Sequence, residues 1–452
     1  MSPALPVKMQ NVSTIFKYVI TGFAAGIIVG GLCVFFCWLT ATADITRQAN
    51  SWLIFLLPLT GLLVVFLYDN RYVKFARERD AIDGLEGNMD GPRLETRESM
   101  FLGMNMVFLS KKDGRPVSLW LAPLIFISTT LTYLTGGSIG RVGSALQFGC
   151  GISTQFNRLA DNTVLIACGL SAGFTAMLGT PVAGAVFGFE LLVLTSAEWV
   201  YIIPTLITAF TTNGIAQLLH VRYTNLDWGE DGAAAVSGLK GFMGDNIPHA
   251  FGSLDIMSLI KVCLMALMAT LLARLFIYGR RWSTAGFTYL FKNKFVRVIV
   301  GTCLVIVITV LLGTQDYNGI GLATAAKALN GEVVTTAFLW KLILTLLTLG
   351  CGIRGGEIAP VIFIGSTFGC MFAGLIGLDP CVGAAVGLVG TLSSATNCTL
   401  ALFIFGLEAI SFSPAGVIYF AITVIITHIL SGRDCLYSMQ EYDRIRFKAP
   451  IR

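Results

Sequence analysis

Two glycine-rich interruptions inside otherwise apolar stretches constrain this chain more than anything else in it. The first is GGSIGRVGSALQFG at 136–149, and the second is GGEIAPVIFIG at 355–365. Each ends one apolar segment and opens another, with Pro360 fitting the first turn of the second helix. The backbone N–H groups at such a start, Gly140 to Gly143 in the first, have no intrahelical partner and sit at the positive end of a helix. At membrane depth that kind of backbone survives only when protein buries it or when it lines a cavity. Two broken helices in corresponding halves are the pattern of a transporter whose helix starts converge on an anion near the midplane.

The surroundings of these breaks are membrane-like. With 55% hydrophobic and 13% charged residues in 452, and a mean hydropathy of +0.76, the chain is too apolar for an ordinary soluble domain. Runs such as Tyr18–Ala41 and Trp52–Tyr68 are long enough to cross a bilayer, and the first is too long for a signal peptide. The fold class is therefore an all-α polytopic membrane protein, with the lipid bilayer as its partner. Forty-nine glycines suit close helix contacts and broken segments. The eleven cysteines form no CxxC pair or metal spacing. Those in apolar stretches (Cys33, Cys37, Cys150, Cys168, Cys263, Cys303, Cys351 and Cys370) are expected to be small buried hydrophobes. His220, His249 and His428 are isolated, so no metal or cofactor is expected. The net charge of +5 comes from loops and does not suggest nucleic acid. No Ser/His/Asp, HExxH or paired-acid constellation marks an enzyme.

In order, spans are expected at about 16–42 and 51–68, then a charged loop at 69–99 with Arg71, Lys74, Arg77, Arg79, Arg93 and Arg97. A short segment at about 101–108 precedes helices at about 117–135, 140–156, 162–178, 181–194 and 198–219. The acidic stretch 221–254 is expected outside the cell. A span at about 255–278 leads to a basic loop with Arg280, Arg281, Lys292, Lys294 and Arg297, and helices follow at about 296–313, 318–329, 334–350, 357–376, 382–393, 397–410 and 414–431. The basic loops and the tail (Arg433, Arg444, Arg446, Lys448 and Arg452) put both termini in the cytoplasm. The whole chain, 1–452, is expected to be one transmembrane domain: a first half at about 16–219, a second at about 255–431, and a terminal segment at 432–452 without an appended regulatory domain.

An internal repeat supports the two halves. Residues 168–190 align without gaps on 386–408, with Gly169, Leu170, Phe187, Gly188 and Glu190 matching Gly387, Leu388, Phe405, Gly406 and Glu408. At a shift two residues different, Gly140 and Gly149 match Gly356 and Gly365. The residues leave open whether the repeat is parallel or inverted.

With both breaks and the repeat in hand, the chain resembles the CLC family of anion channels and proton-coupled anion antiporters, from about residue 16 to 443. The family's Gly-Arg-Glu-Gly motif with a following Gln reads Gly140-Arg141-Val142-Gly143 with Gln147. Its Gly-x-Phe/Val-x-Pro motif reads Gly356-Glu357-Ile358-Ala359-Pro360. Its late inner-gate tyrosine matches Tyr437 in SGRDCLYS, and the first-half helix ending in a glutamate matches Glu190. The resemblance implies a homodimer with one anion pathway per subunit, two inverted-topology halves and about 17 or 18 helices, many too short to span. It also implies an anion site built from Gly140, Arg141 and Gly143, from Gly356, Glu357 and Ile358, from Met104, Asn105 and Met106, and from Tyr437. Val142, Glu357 and Tyr437 are the gate positions.

Three departures from the family pattern shape the expected function. Val142 stands where antiporters and many channels carry a glutamate that gives way when it takes a proton. Valine neither titrates nor mimics an anion, so proton coupling at this gate is expected to be lost. Leu191 stands at the position of the family's inner proton-transfer glutamate, and Glu190 and Glu408 are expected to be structural, each holding a neighbouring helix end. The segment Gly103-Met104-Asn105-Met106 lacks the serine of chloride-selective relatives and, with Glu357, looks like the fluoride-handling branch. There Asn105 offers an amide donor and a methionine a polarisable wall, although either methionine singly also fits plain core. Glu357 is either a helix-capping acid or a titratable group in the cavity. Arg141 and Arg354 either add positive field or fix neighbouring carbonyls. The expectation is a proton-uncoupled halide channel, for fluoride first, in a bacterial inner membrane. The alternatives are a fluoride or chloride/proton antiporter using Glu357, a chloride-conducting channel, and a membrane protein that transports nothing.

Overall fold

A computed structural model describes residues 12–68, 103–192, 200–219, 254–410, 413–432, 434–437 and 440. The loop at 69–99, most of the acidic stretch 221–254, His220, His249, Arg433 and the basic end of the tail lie outside the described residues. Sixteen helices and no strand are found among them. The first half carries α1 (Val12–Ala49), α2 (Ser51–Tyr68), α3 (Met104–Asp113), α4 (Leu121–Leu134), α5 (Val142–Ser153), α6 (Asn162–Leu178), α7 (Pro181–Leu191) and α8 (Ile202–Leu218). The second carries α9 (Ile256–Leu290), α10 (Lys294–Leu312), α11 (Leu322–Leu329), α12 (Ala337–Gly350), α13 (Ile358–Ile376), α14 (Pro380–Thr396), α15 (Thr399–Ala409) and α16 (Pro414–Ser431).

Six of these helices, α1, α2, α9, α10, α13 and α16, are long and apolar enough to cross a membrane. Others, such as α5 and α7, are too short to do so alone and are buried among their neighbours.

The repeat is written into the helix bounds. Moved by 218 residues, α6 and α7 fall on α14 and α15, and moved by 216, α4 falls on α12. The turns between them match too. Gly179 ends α6 in the left-handed region at φ 69°, and its counterpart Asn397 ends α14 at φ 57°. Asparagine is the usual substitute for glycine at that position. It is the one non-glycine residue with positive φ among those described.

Two glutamates fasten the halves to each other. The Glu190 carboxylate, late in α7, accepts the Leu400 and Ala401 N–H groups at the start of α15, at 3.1 and 2.8 Å. The Glu408 carboxylate, late in α15, accepts the Val182 and Ala183 N–H groups at the start of α7, at 3.3 and 2.9 Å. Each acid thus satisfies orphan donors at the positive end of the other helix. The reciprocity is that of a local two-fold relation between the halves.

Small residues set how closely the helices cross. A Cβ built on Gly387 in α14 would lie 2.5 Å from the Gly365 carbonyl oxygen in α13, so no side chain fits that crossing.

Two expectations need correction. Arg280 and Arg281 lie on a helix, not in a loop, because α9 runs on to Leu290. Arg274, Tyr278 and Arg281 occupy one helical face at spacings of four and three, and they reach the segment after α16. Arg274 donates to the Leu430 and Ser431 carbonyls, Tyr278 to the Asp434 carboxylate, and Arg281 pairs with Asp434 and donates to the Cys435 carbonyl. Cys263 and Cys303 are exposed on α9 and α10, whereas the other cysteines are buried. An apolar thiol on the outer face of a spanning helix costs little where lipid covers it.

Candidate anion site

The two helix starts meet through their backbones. Gly140 N–H donates to the Gly356 carbonyl at 2.7 Å, and Gly356 N–H donates to the Gly140 carbonyl at 2.8 Å, a single antiparallel bridge. This approach requires glycine. A Cβ on Gly356 would sit 2.6 Å from the Gly140 oxygen and 2.7 Å from the Gly143 nitrogen, and one on Gly140 would sit 2.7 Å from Pro360 Cδ. The bridge consumes the N–H groups of Gly140 and Gly356. The donors left for a ligand are those of the turn residues that follow, at the positive ends of α5 and α13.

Side chains hold these turns from behind. Ser144 donates to the Gly140 carbonyl at 3.4 Å and accepts from Thr129 at 2.9 Å, and Tyr133 donates to the Ile139 carbonyl at 3.2 Å. On the far side, the fully buried Lys341 of α12 donates to the Tyr317 and Gly319 carbonyls at 3.1 and 2.6 Å. The loop it grips carries the approach to the first turn: Asn318 donates to the Gly136 carbonyl at 2.7 Å, and Ser138 donates to the Tyr317 carbonyl at 3.2 Å. These carbonyls meet the hydrogen-bonding requirement of a buried lysine amine.

Beside the bridge lies a cavity of about 80 Å³, roomy enough for a small ion with some water. Of the residues expected at the site, Met104, Asn105, Gly143, Gly356, Glu357 and Tyr437 line it. Met106, Gly140, Arg141, Val142 and Ile358 do not. Met106 and Ile358 are fully buried in the core, and Val142 is 3% exposed. Arg141 is buried and turned toward α1, where its guanidinium reaches the Cys37 carbonyl at 3.5 Å. Of the two roles weighed for Arg141, the geometry matches the fixing of a carbonyl.

Glu357 is the N-cap residue of α13 but makes no side-chain cap. Its carboxylate instead pairs with Arg280, Oε1 to Nη1 at 3.2 Å, with the two side chains 15% and 21% exposed. Arg354 is on the cavity wall as well. Among the described residues, Arg280, Arg354 and Glu357 are the charged ones on this wall. Tyr437 packs its ring 5.8 Å from that of Phe108. Its hydroxyl is buried and has no hydrogen-bond partner among the described residues, which makes it a donor for whatever occupies the cavity.

Arg280 and Tyr68 belong to this lining and were not expected there. Arg280 looked like one of several loop cations, and its contact with Glu357 is made by tertiary packing that no local pattern encodes. The face formed by Arg274, Tyr278 and Arg281 was the available signal that α9 continues. His428, isolated in the sequence, pairs its Nδ1 with the Thr399 hydroxyl at 2.7 Å, away from the cavity.

Comparison with known proteins agrees with this architecture. The chain is 24% identical over 458 residues to a chloride/fluoride channel protein of Pseudomonas syringae pv. tomato, covering 99% of this chain and 91% of the relative. Among solved structures it is similar to a CLC-type fluoride/proton antiporter, with a TM-score of 0.80 at 24% identity over 96% of this chain and 99% of the other. A slow cyanobacterial Cl−/H+ antiporter matches with a TM-score of 0.66 at 16% identity, over 95% of this chain and 97% of the other. A family model described as voltage gated chloride channel matches residues 103–432, the stretch that holds both helix starts, both interlocking glutamates and most of the cavity wall. The chain therefore belongs to the voltage gated chloride channel family, the CLC anion channels and transporters.

Proposed function

We propose that this protein is a homodimeric halide channel of a bacterial inner membrane, with both termini in the cytoplasm, and that it passes fluoride without moving protons. The observation that carries this reading is Val142. It sits at the first position of α5, buried and apolar, where the resemblance calls for a titratable carboxylate. A side chain with no charge cannot compete with an anion or exchange a proton with it. Flow past this position then follows the electrochemical gradient and is insensitive to pH.

Fluoride is favoured over chloride by the lining. Asn105 supplies an amide where a hydroxyl would stand, Met104 offers a polarisable wall, and Tyr437 and the turn residues that follow Gly140 and Gly356 add donors. A small, strongly hydrated anion needs many donors to replace its water. The chloride/fluoride channel protein to which the chain is similar has both halides in its name, which supports a halide pathway and leaves the choice between them to the lining.

A second reading, an antiporter working through Glu357, is favoured by that residue's place on the cavity wall and its pairing with Arg280 instead of its own helix. Efflux from proteoliposomes loaded with fluoride or chloride, with external pH recorded, separates the two. The channel requires fluoride efflux that depends on a potassium ionophore and carries no protons. Proton uptake that accompanies the anion and disappears in Glu357→Gln would replace it with the antiporter. Chloride leaving as fast as fluoride would end the fluoride assignment alone.

A further inference from the structure

Arg280 touches two walls of the cavity at once. Its Nη1 lies 3.2 Å from Glu357 Oε1, and its Nη2 donates to the Leu436 carbonyl, next to Tyr437, at 3.3 Å. The terminal segment does not depend on this second contact. Arg274, Tyr278 and Arg281 moor it upstream, and Leu436 N–H donates to the Ala395 carbonyl at 2.8 Å. What Arg280 contributes here is a positive charge against Glu357.

That charge matters because of where Glu357 sits. The start of α13 is a place where helix geometry attracts an anion, and a carboxylate fixed there opposes any second anion in the same space. In a cavity of about 80 Å³, bounded in part by protein, the repulsion is less screened than in bulk water. Arg280 places a guanidinium at ion-pair distance from that carboxylate, and removing it takes that charge away.

We propose that Arg280 is a charge-positioning residue of the anion pathway, whose guanidinium neutralises Glu357 so that a small monovalent anion can share the cavity with that carboxylate. This rests on the anion-transport reading given above. It requires that the effect of losing Arg280 be reversed by also removing the charge of Glu357, which a purely structural brace would not allow.

The test compares fluoride efflux from proteoliposomes containing the wild type, Arg280→Lys, Arg280→Gln, Glu357→Gln and the double variant Arg280→Gln/Glu357→Gln. Fluoride binding to the same full-length proteins in detergent is followed by calorimetry. Arg280→Gln should slow efflux about tenfold, the scale for stripping one partner from a half-screened ion pair. Arg280→Lys should keep most of the rate, and the double variant should recover to within about threefold of the wild type. Unchanged efflux in Arg280→Gln overturns the proposal, and so does a double variant as slow as Arg280→Gln. Should Arg280→Gln fail to fold, Glu357→Gln alone decides. Its unopposed guanidinium should tighten fluoride binding severalfold, and equal or weaker binding overturns the proposal. A wild type that binds fluoride but releases none from vesicles would defeat the transport reading, while the binding comparison would still judge Arg280.

Discussion

The starts of α5 and α13 are the same piece of backbone used twice and dressed oppositely. Gly140 and Gly356 pair with each other, and the residues that follow them, Arg141 and Glu357, are both N-cap residues in near-helical conformation, at φ −93° and −106°. Yet the arginine turns away to a carbonyl of α1, while the glutamate faces the cavity beside Arg280. The next residues, Val142 and Ile358, are both buried and apolar. The two halves share the frame that brings two helix ends together and divide the labour through their side chains. The described first-half residues on the cavity wall carry no charge, and the second half adds Arg280, Arg354 and Glu357.

The comparison can be broken most severely at the bridge. Gly356→Ala puts a methyl group against the Gly140 carbonyl and the Gly143 nitrogen, backbone atoms that cannot rotate aside. A loss of about 3 kcal/mol is expected, seen as a large drop in the thermal midpoint of the detergent-purified protein. Gly140→Ala, which meets Pro360 and Ala359, should behave alike. A difference between the two would show that the second half carries the frame.

The interlocking glutamates sharpen the comparison at a smaller scale. Glu190→Ala and Glu408→Ala each uncover two backbone donors at a helix start, and each should cost about 2 kcal/mol. Equal losses in urea or thermal unfolding would mark the two-fold relation as energetic as well as geometric.

Val142→Glu tests the division of labour directly. A carboxylate at the start of α5 should slow halide efflux about tenfold at neutral pH and release it as the medium is acidified through the carboxylate range. The wild type should show no such dependence. The smallest change is expected at the turn after α14, where Asn397 sits at φ 57° and its buried Oδ1 accepts from Ser431 at 2.8 Å. Asn397→Gly should lower stability by about 1 kcal/mol through the lost hydrogen bond, and Asn397→Ala by somewhat more because it adds backbone strain.

Much of the frame was legible because it is local. Apolar runs bounded by Gly and Pro located α6 and α16 to the residue, and the two FGxE endings marked helices whose glutamates turned out to hold each other. The broken starts were legible as glycine-rich punctuation. What escaped was made by packing across long separations. The N–H groups of Gly140 and Gly356 looked like donors for an anion but are spent on each other. Arg280 looked like a loop cation because hydropathy falls near the end of α9, whereas carbonyls and carboxylates of the terminal segment and α13 replace water around that stretch. Met104 and Met106 are two residues apart and so face different ways on a helix. The spacing alone did not say which of them meets the cavity.

The bridge between Gly140 and Gly356 also has a consequence for biosynthesis. Because the two partners are separated by nearly half the chain, a ribosome that has delivered only the first half has delivered no pathway. The wall around Gly143 acquires its opposite side only when residues beyond Gly356 have entered the bilayer. A stalled or truncated product therefore holds one unfinished helix start and lacks the second side of the cavity.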